Sequence, residues 1–468
     1  MDERLLHDLE HLPDLLQKTL EVAADYLASI DSRPAAGPMP SIEPLGLPAD
    51  GLGAGRTLDL FVERYAGAMP ASNGPRFWAF VTGGTTPASL LGDWLTSAYD
   101  LNLTSMGNST APNIESEAIH LLRELFGLPP AFHGTFVTGA TMANFVGLAV
   151  GREWVARQLG GSAAEDGLAS LPPIPVLSGE AHSSAFKALS MLGMGRRCVR
   201  AVSRLPGDRE AVDVDALRRE LAALDGRPAI VIANAGTVNT VDFDDLRAIA
   251  ELKARFPFWL HVDAAFGAFA ACSPRYRHLM DGVAEADSVT VDAHKWLNVP
   301  YDTAMAFTRD RDLQVSVFRN AGAYLGPMTD PPDFVHLAPE SSRRLRALPA
   351  WFGLIAYGRA GYQDIVERDC ALARSLGERI ERSDRFRLLA PVRMNVVCFT
   401  LTGEVDSARV AAFLARLRDD GRVFLTPTVF HGVAGVRAAI SNWRTREEDV
   451  EIAWQAMNEC LDRESGSG

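Results

Sequence analysis

An α/β protein with a mainly parallel sheet is the fold class that the sequence predicts, and three observations predict it. Between about residues 75 and 375, short apolar runs alternate with longer stretches of helical periodicity. Several of those runs are continuously apolar or β-branched, as strands covered on both faces are. After about residue 376 the pattern changes to a smaller α+β kind, which sets a second unit apart. Composition agrees with a folded globular chain: 468 residues, 47% apolar and 22% charged.

Taken in order, the chain opens with Leu5, Leu9, Leu12, Leu16, Leu20, Ala23 and Leu27 at helical spacing, which predicts one or two amphipathic helices around Pro13. RPAAGPMPSIEPLGLPADGLGAG, from Arg33 to Gly55, is dense in Pro and Gly and reads as a linker or extended wrap. FHGTFVTGA then precedes the helical TMANFVGLAVGREWVARQL, PIPVLSGEA precedes HSSAFKALSMLG, and RCVRAVSR precedes VDVDALRRELAAL. AIVIANAG, FWLHVDAAF and SVTVDAHKWL follow as further strands ending in Gly, Asp or Ala. The last part holds LLAPVRMNVVCFTL, a helix VDSARVAAFLARLRDDG, a run VFLTPTVF, and a final helix from Thr445 to Leu461. These divisions predict an N-terminal helical arm and linker (1–74), a large domain (75–375) and a small C-terminal domain (376–468).

Charge and cysteine usage narrow the function. With 46 basic and 59 acidic residues the net charge is −13, and no basic stripe with interleaved aromatics occurs, so nucleic acid is not the expected partner. The five cysteines are scattered without CxxC spacing, which predicts a reducing compartment and no disulfide framework. None of the ten histidines forms an HxxxH or HExxH pair with a third ligand, so no metal is expected. MDERLLHDLEHLPDLL is too charged for a signal peptide, and no apolar run is long enough to span a membrane, so a cytoplasmic protein is predicted.

In open parallel sheets ligands sit at the carboxyl ends of strands, and four such ends here carry chemistry that fits one cofactor. In VTGATMAN a strand ends at Gly139 and a helix begins around Thr141, giving N–H groups that can seat a phosphate, although an ordinary helix cap fits the same pattern. In WLHVDAAFG, Asp263 closes a strand; a carboxylate there can hold a pyridine nitrogen protonated while Ala265 leaves room for a flat ring, or it can simply cap a helix. In VDAHKWLNVPYD, His294 and Lys295 follow an apolar run, and a lysine among apolar neighbours tends towards the lowered pKa that imine formation requires. In GEAHSSAFKA, His182 starts a helix after a strand, where an imidazole can stack on a ring or move a proton.

These segments, with GPRFWAFVTGG ahead of them, resemble the group II pyridoxal phosphate (PLP)-dependent amino acid decarboxylases, the family of the aromatic amino acid, glutamate and histidine decarboxylases. The likeness runs in order from about Gly74 to Leu461, and HVDAA together with DAHKW carries most of its specificity. It implies PLP fold type I, with a mainly parallel seven-stranded sheet, and a homodimer whose active sites lie at the subunit interface. It implies that Lys295 bonds PLP as an imine, that Asp263 pairs with the pyridinium nitrogen, and that His182 stacks on the ring with Ala265 on the other face. Ala140, Thr141 and His294 would contact the phosphate, with Ser288 as a further candidate, and Thr237 would lie near the phenolic oxygen and the substrate carboxylate. The implied reaction removes the carboxylate of an L-amino acid as CO₂. Phe77, Trp78, Phe80 and Val81 resemble the pocket-forming stretch, which points to a hydrophobic or aromatic substrate, though the same residues fit a core equally well. Arg444, in ISNWRT, matches an arginine of the family's small domain.

One departure opens a second reading. In the animal and plant aromatic decarboxylases a loop after the lysine segment carries a tyrosine that helps to protonate the substrate carbon. Phe334 is the nearest position here, and phenylalanine donates no proton. The change resembles that of the aldehyde synthases of the family, which release an aldehyde; Tyr324 and His336 are the alternative donors.

Overall fold

Seven strands lie side by side: β1 (His133–Val137), β2 (Val176–Ser178), β3 (Val199–Ala201), β4 (Ala229–Asn234), β5 (Phe258–Asp263), β6 (Ser288–Asp292) and β7 (Ala304–Thr308), in the order β1-β7-β6-β5-β4-β2-β3. The computed structural model describes residues 1–38, 40–103, 109–320, 322 and 328–465. β7 is antiparallel to both its neighbours, and every other adjacent pair is parallel. Because two reversals separate them, β1 and β6 run the same way, so the ends of β1, β2, β4, β5 and β6 share one edge. The mainly parallel sheet expected of fold type I is present.

Both faces are covered, and the strand period of two explains how. In β4, Val231 and Ala233 join Leu260 and Val262 in the largest apolar core, while Ile230 and Ile232 join Trp259 and Leu148 in a separate core on the other face. The second face is covered by the helix Ala140–Gln158, which comes so close that two of its residues must lack side chains. A Cβ on Gly147 would lie 2.6 Å from the His261 ring, and one on Gly151 would lie 2.7 Å from Trp259.

The second sheet holds β8 (Phe386–Leu388), β9 (Val396–Leu401), β10 (Thr426–Phe430) and β11 (Val433–Ala439), in the order β10-β11-β9-β8 and antiparallel throughout. Its core gathers Phe386, Phe399, Val436 and Phe413, and reaches outside residues 376–468 to take in Leu372, Leu376 and Trp78. The helix Ala347–Glu381 joins the two sheets and bends at Gly358, whose φ of 57° suits a residue without Cβ.

At the N-terminus, helices Glu3–Glu10 and Leu12–Ala28 meet at His11, and Pro13 falls in the first turn of the second, where its missing N–H costs nothing. Part of the Pro/Gly-rich run wraps on the C-terminal region: Ala35 donates its N–H to the Gly421 carbonyl at 2.7 Å. Among the described residues, no helix is long and apolar enough to cross a membrane.

Candidate active site at the carboxyl edge of the sheet

Register alone brings several of the candidate residues to one edge. Asn234 of β4 pairs with Asp263 of β5, Asp292 ends β6 opposite Ala304 of β7, and Val137 ends β1 opposite the same Ala304. Gly139 with the start of the helix Ala140–Gln158, Asp263, and the segment Asp292–Lys295 therefore line a single rim. His182 joins them as the N-cap of the helix Ser183–Met191, just beyond β2.

Lys295 does not stand among apolar neighbours alone. Its Nζ lies 3.3 Å from an Asp292 oxygen and 5.6 Å from the centre of the Phe266 ring. Asp292 also receives the His294 imidazole at 3.3 Å. Burial pushes the Asp292 carboxyl up, but Lys295 and His294 outweigh it and hold it below the usual carboxylate range. The sequence signal for this partner is an acid at the end of the apolar run VTV, three residues before the lysine.

The Lys295 segment is held from behind by the early aromatic stretch. A Cβ on Gly83 would fall 1.5 Å from the Lys295 carbonyl oxygen, so only glycine allows this approach. Gly83 donates its N–H to the His294 carbonyl at 3.2 Å, and the Tyr301 ring stacks on His294 at 4.2 Å.

Asp263 is 6% exposed, and two donors face its carboxylate: the Asn144 side-chain amide at 2.9 Å and the Ala265 N–H at 3.2 Å. Ala265 and Ala140 are small and almost buried. The helix Ala140–Gln158 begins with no side chain capping it, and a Cβ on Gly139 would lie 3.5 Å from the His294 ring. Thr141 is in its first turn, where backbone N–H groups have no intrahelical partner. His182 accepts through Nδ1 from the Ser184 N–H at 3.3 Å. Burial lowers its imidazole below the ordinary value; Asp263 opposes the shift, and Lys295 and Arg437 add to it.

Other expected residues sit differently. Trp78 is fully buried in the core of the second sheet and donates its indole N–H to the Pro75 carbonyl, so it is no pocket wall. Val81 belongs to the main core, leaving Phe80, 60% exposed beside Phe424, as the exposed side chain of that stretch. Ser288 begins β6 at the opposite edge of the sheet and binds Trp259 and His261, which removes it from the phosphate candidates. The Thr237 hydroxyl donates to buried Glu210 and accepts from the Asp242 N–H at 3.0 Å, so it is not a free hydroxyl.

Phe334 is buried under the Arg343 guanidinium, whose carbon lies 5.5 Å from the ring centre. It lines a cavity of about 150 Å³ with Ile119, Phe132, His133 and Gly134, at the starting end of β1. That is the far edge of the sheet from Lys295. His336, also buried, faces the Asn320 N–H at 3.0 Å, and Tyr324 lies outside the described residues.

Arg444 packs over the Trp443 ring at 4.5 Å. The arginine that reaches His182 electrostatically is Arg437 of β11, which donates to the Val238 carbonyl at 3.0 Å and keeps a buried Nε without a partner. An arginine inside the small-residue run VAGVRAAI is costly to bury, and that was its signal in the sequence.

The donor set fits PLP: a primary amine, a carboxylate with two donors at its back, an imidazole, and an uncapped helix start beside a second imidazole. Comparison with known proteins agrees. The profile of the pyridoxal-dependent decarboxylase conserved domain matches residues 66–402. An aromatic-L-amino-acid decarboxylase of Drosophila lebanonensis is 35% identical over 292 residues, 61% of this chain and 71% of that protein. The crystal structure of Oryza sativa TDC with PLP and tryptamine superposes with a TM-score of 0.87 at 24% identity, covering 97% of this chain and 98% of that one. That of Rhodiola rosea 4-hydroxyphenylacetaldehyde synthase gives 0.85 at 20%, covering 97% and 99%. The two structural likenesses speak for the fold.

Proposed function

Because the chain belongs to the pyridoxal-dependent decarboxylases, we propose that it acts on an aromatic or large hydrophobic L-amino acid, releasing CO₂ and the corresponding amine. The observation that carries this reading is the single rim on which Lys295 with its Asp292 partner, Asp263 with its two donors, His182 and the uncapped helix start are gathered. When bound, PLP supplies an electron sink conjugated to the substrate Cα, which is what lets the carboxylate depart.

The side chains divide the remaining work. Lys295 offers the amine that holds the cofactor covalently, and Asp292 beside it accepts or returns a proton at Nζ. Asp263 would face the ring nitrogen and keep a proton there. The neutral His182 imidazole would pack on the ring. Ala140, Thr141 and His294 would receive the phosphate, and Ala265 would leave space for the ring. Arg437, with an unused buried N–H, holds the carboxylate end of the substrate and orients the bond to be broken. Phe80 contributes apolar surface. A homodimer is part of the same proposal, supported by the exposed Leu5, Leu9, Leu12, Leu16 and Leu20 along the first two helices.

Each turnover must release one CO₂ and deliver one proton to Cα. The test is an absorbance-monitored screen of the twenty amino acids against PLP-loaded protein, with amine, CO₂, aldehyde and oxygen uptake quantified. Tryptophan, tyrosine, phenylalanine or a similar substrate giving amine and CO₂ in equal amounts without oxygen uptake is the expected result. Aldehyde, ammonia and peroxide in its place would establish aldehyde synthase chemistry.

A second expected result concerns Arg437. Arg437→Met, which keeps the stem but no N–H donors, is expected to raise KM for the substrate by about 10- to 100-fold, the loss of one hydrogen bond to a charged group. PLP affinity should stay within about threefold. Steady-state kinetics with a cofactor titration checks both, and an unchanged KM removes Arg437 from the substrate site.

A further inference from the structure

β5 is buried along its whole length, yet every second residue on one of its faces is polar or carries a polar group: Trp259, His261 and Asp263. All three point at the helix Ala140–Gln158, where Gly151 makes room for the first ring, Gly147 for the second, and Asn144 meets the third. Residues two apart in a strand, facing residues three to four apart in a helix, thus produce a line of polar groups through an otherwise apolar layer. The line joins Ser288, at the far edge of the sheet, to Asp263 at the cofactor edge.

Its hydrogen atoms can be assigned by elimination. The Trp259 indole can only donate, and it does so to Ser288 Oγ at 2.8 Å. Ser288 Oγ lies 2.8 Å from His261 Nδ1, and His261 Nε2 lies 2.8 Å from Asn144 Oδ1. The Asn144 amide nitrogen must face Asp263, because a carboxylate accepts and an amide oxygen there would meet it lone pair to lone pair. Asn144 Oδ1 is therefore an acceptor, so His261 carries its proton on Nε2. Burial pushes the His261 imidazole down to about 4, so the ring is neutral and Nδ1 is bare, ready to accept from Ser288. Every donor along the chain from Trp259 to Asp263 points the same way, towards the carboxylate.

A branch leaves at Asn144. Its second amide hydrogen goes to Ser184 Oγ at 3.0 Å, and that hydroxyl lies 2.8 Å from His182 Nδ1, which already accepts the Ser184 N–H. Nδ1 is thus an acceptor, and the neutral His182 carries its proton on Nε2. One amide side chain fixes both the carboxylate and the imidazole of the proposed site.

We infer that Asn144 and His261 are positioning residues: the one-way relay Trp259–Ser288–His261–Asn144 locks the Asn144 amide, which in turn holds Asp263 and His182 in register with the cofactor ring. His261 meets Asn144 and Ser288, and Asn144 meets Asp263 and Ser184, so both act through Asp263 and His182. The inference rests on the reading of Asp263 and His182 as ring contacts given above.

The test has two arms. In wild-type apoprotein carrying ¹⁵N-labelled histidine, the relay requires a histidine that stays neutral between pH 5 and 8 with its proton on Nε2, lost as a signal in His261→Gln; a proton on Nδ1, or a titration in that range, overturns it. In the second arm His261→Leu and Asn144→Leu are compared with His261→Gln, which retains an N–H donor. Expected is a PLP dissociation constant about 10- to 100-fold weaker in the two leucine variants, and a pyridine nitrogen that has lost its proton by the shift of ¹⁵N-labelled PLP, with substantial recovery in His261→Gln. Leucine variants that fold, shown by an unchanged far-ultraviolet spectrum, and bind PLP like wild type overturn the relay. Lys295→Ala and Asp263→Asn, run beside them, separate the two levels: if these also leave PLP binding unchanged the site reading fails, whereas if only the relay variants are silent the site stands and the relay falls.

Discussion

Lys295→Ala is expected to bind PLP without retaining it and to show no measurable turnover. The substitution removes the amine proposed to hold the cofactor and leaves the buried Asp292 carboxylate, which Lys295 and His294 both face, without its Lys295 partner. The proton-transfer share alone is worth about 10² to 10⁴ in rate, and loss of covalent attachment adds to it. Lys295→Arg separates the two contributions. A guanidinium preserves an ion pair with Asp292 but stays protonated and forms no imine, so it should restore PLP affinity more than rate. Borohydride reduction of wild-type holoprotein followed by peptide mapping should place the phosphopyridoxyl label on Lys295, and neither variant should carry it. Turnover in Lys295→Ala within tenfold of wild type, or a label elsewhere, removes Lys295 from the chemistry.

The sheet and its edge were legible in the sequence for a local reason. AIVIAN and FWLHVD are buried on both faces, so their apolar continuity follows directly from their position, and the residue that ends each run marks the edge. The segments holding Asp263, His294 and Lys295 stood out on the same ground. Trp78 did not, because burial in a core and burial against a ligand select the same side chain. It is the neighbouring glycine pair, Gly83 and Gly84, that ties this stretch to Lys295, and the reason lies in contacts with His294, Lys295 and Asn442 far away in the chain.

Phe334 and His261 were legible in the sequence to different degrees. Phe334 lies in a loop, and position along a loop carries no information about which edge of the sheet the loop covers. The structure puts it with Phe132 and His133, at the starting end of β1. His261 stands inside HVDAAF, two residues before the acid that ends the strand. A histidine in mid-strand between buried apolar residues needs partners for both ring nitrogens, and those partners, Asn144 and Ser288, come from a helix and a strand more than a hundred and nearly thirty residues away respectively. Arg437 is the same lesson in β11: the cost of burial was readable, the group it faces was not.

Asp263→Asn is expected to give the second-largest loss, with the fold intact. The two side chains have the same shape, so packing against Ala265 and the Asn144 amide is preserved, but the charge is gone. Asn144 and Ala265 both donate to this position, so the new amide must turn its oxygen towards one of them, and its NH₂ group then meets either the other donor or the ring nitrogen. In neither orientation does it hold a proton on that nitrogen, and the cofactor ring loses its pull on electrons at Cα. A fall in kcat of about 10² to 10³ is expected, the scale for removing one preorganised electrostatic group, with KM within about threefold. Asp263 also supports the proton affinity of His182 against the lowering by burial, Lys295 and Arg437. Its removal should therefore move the His182 imidazole further down, so that in a ¹⁵N-histidine titration the His182 midpoint falls to lower pH than in the wild type. Asp263→Glu keeps the charge but extends it by one methylene towards the ring; partial activity with a protonated pyridine nitrogen would show that the charge matters more than its placement. Full activity in Asp263→Asn would mean that the ring nitrogen is held by some other group and would remove Asp263 from the cofactor site.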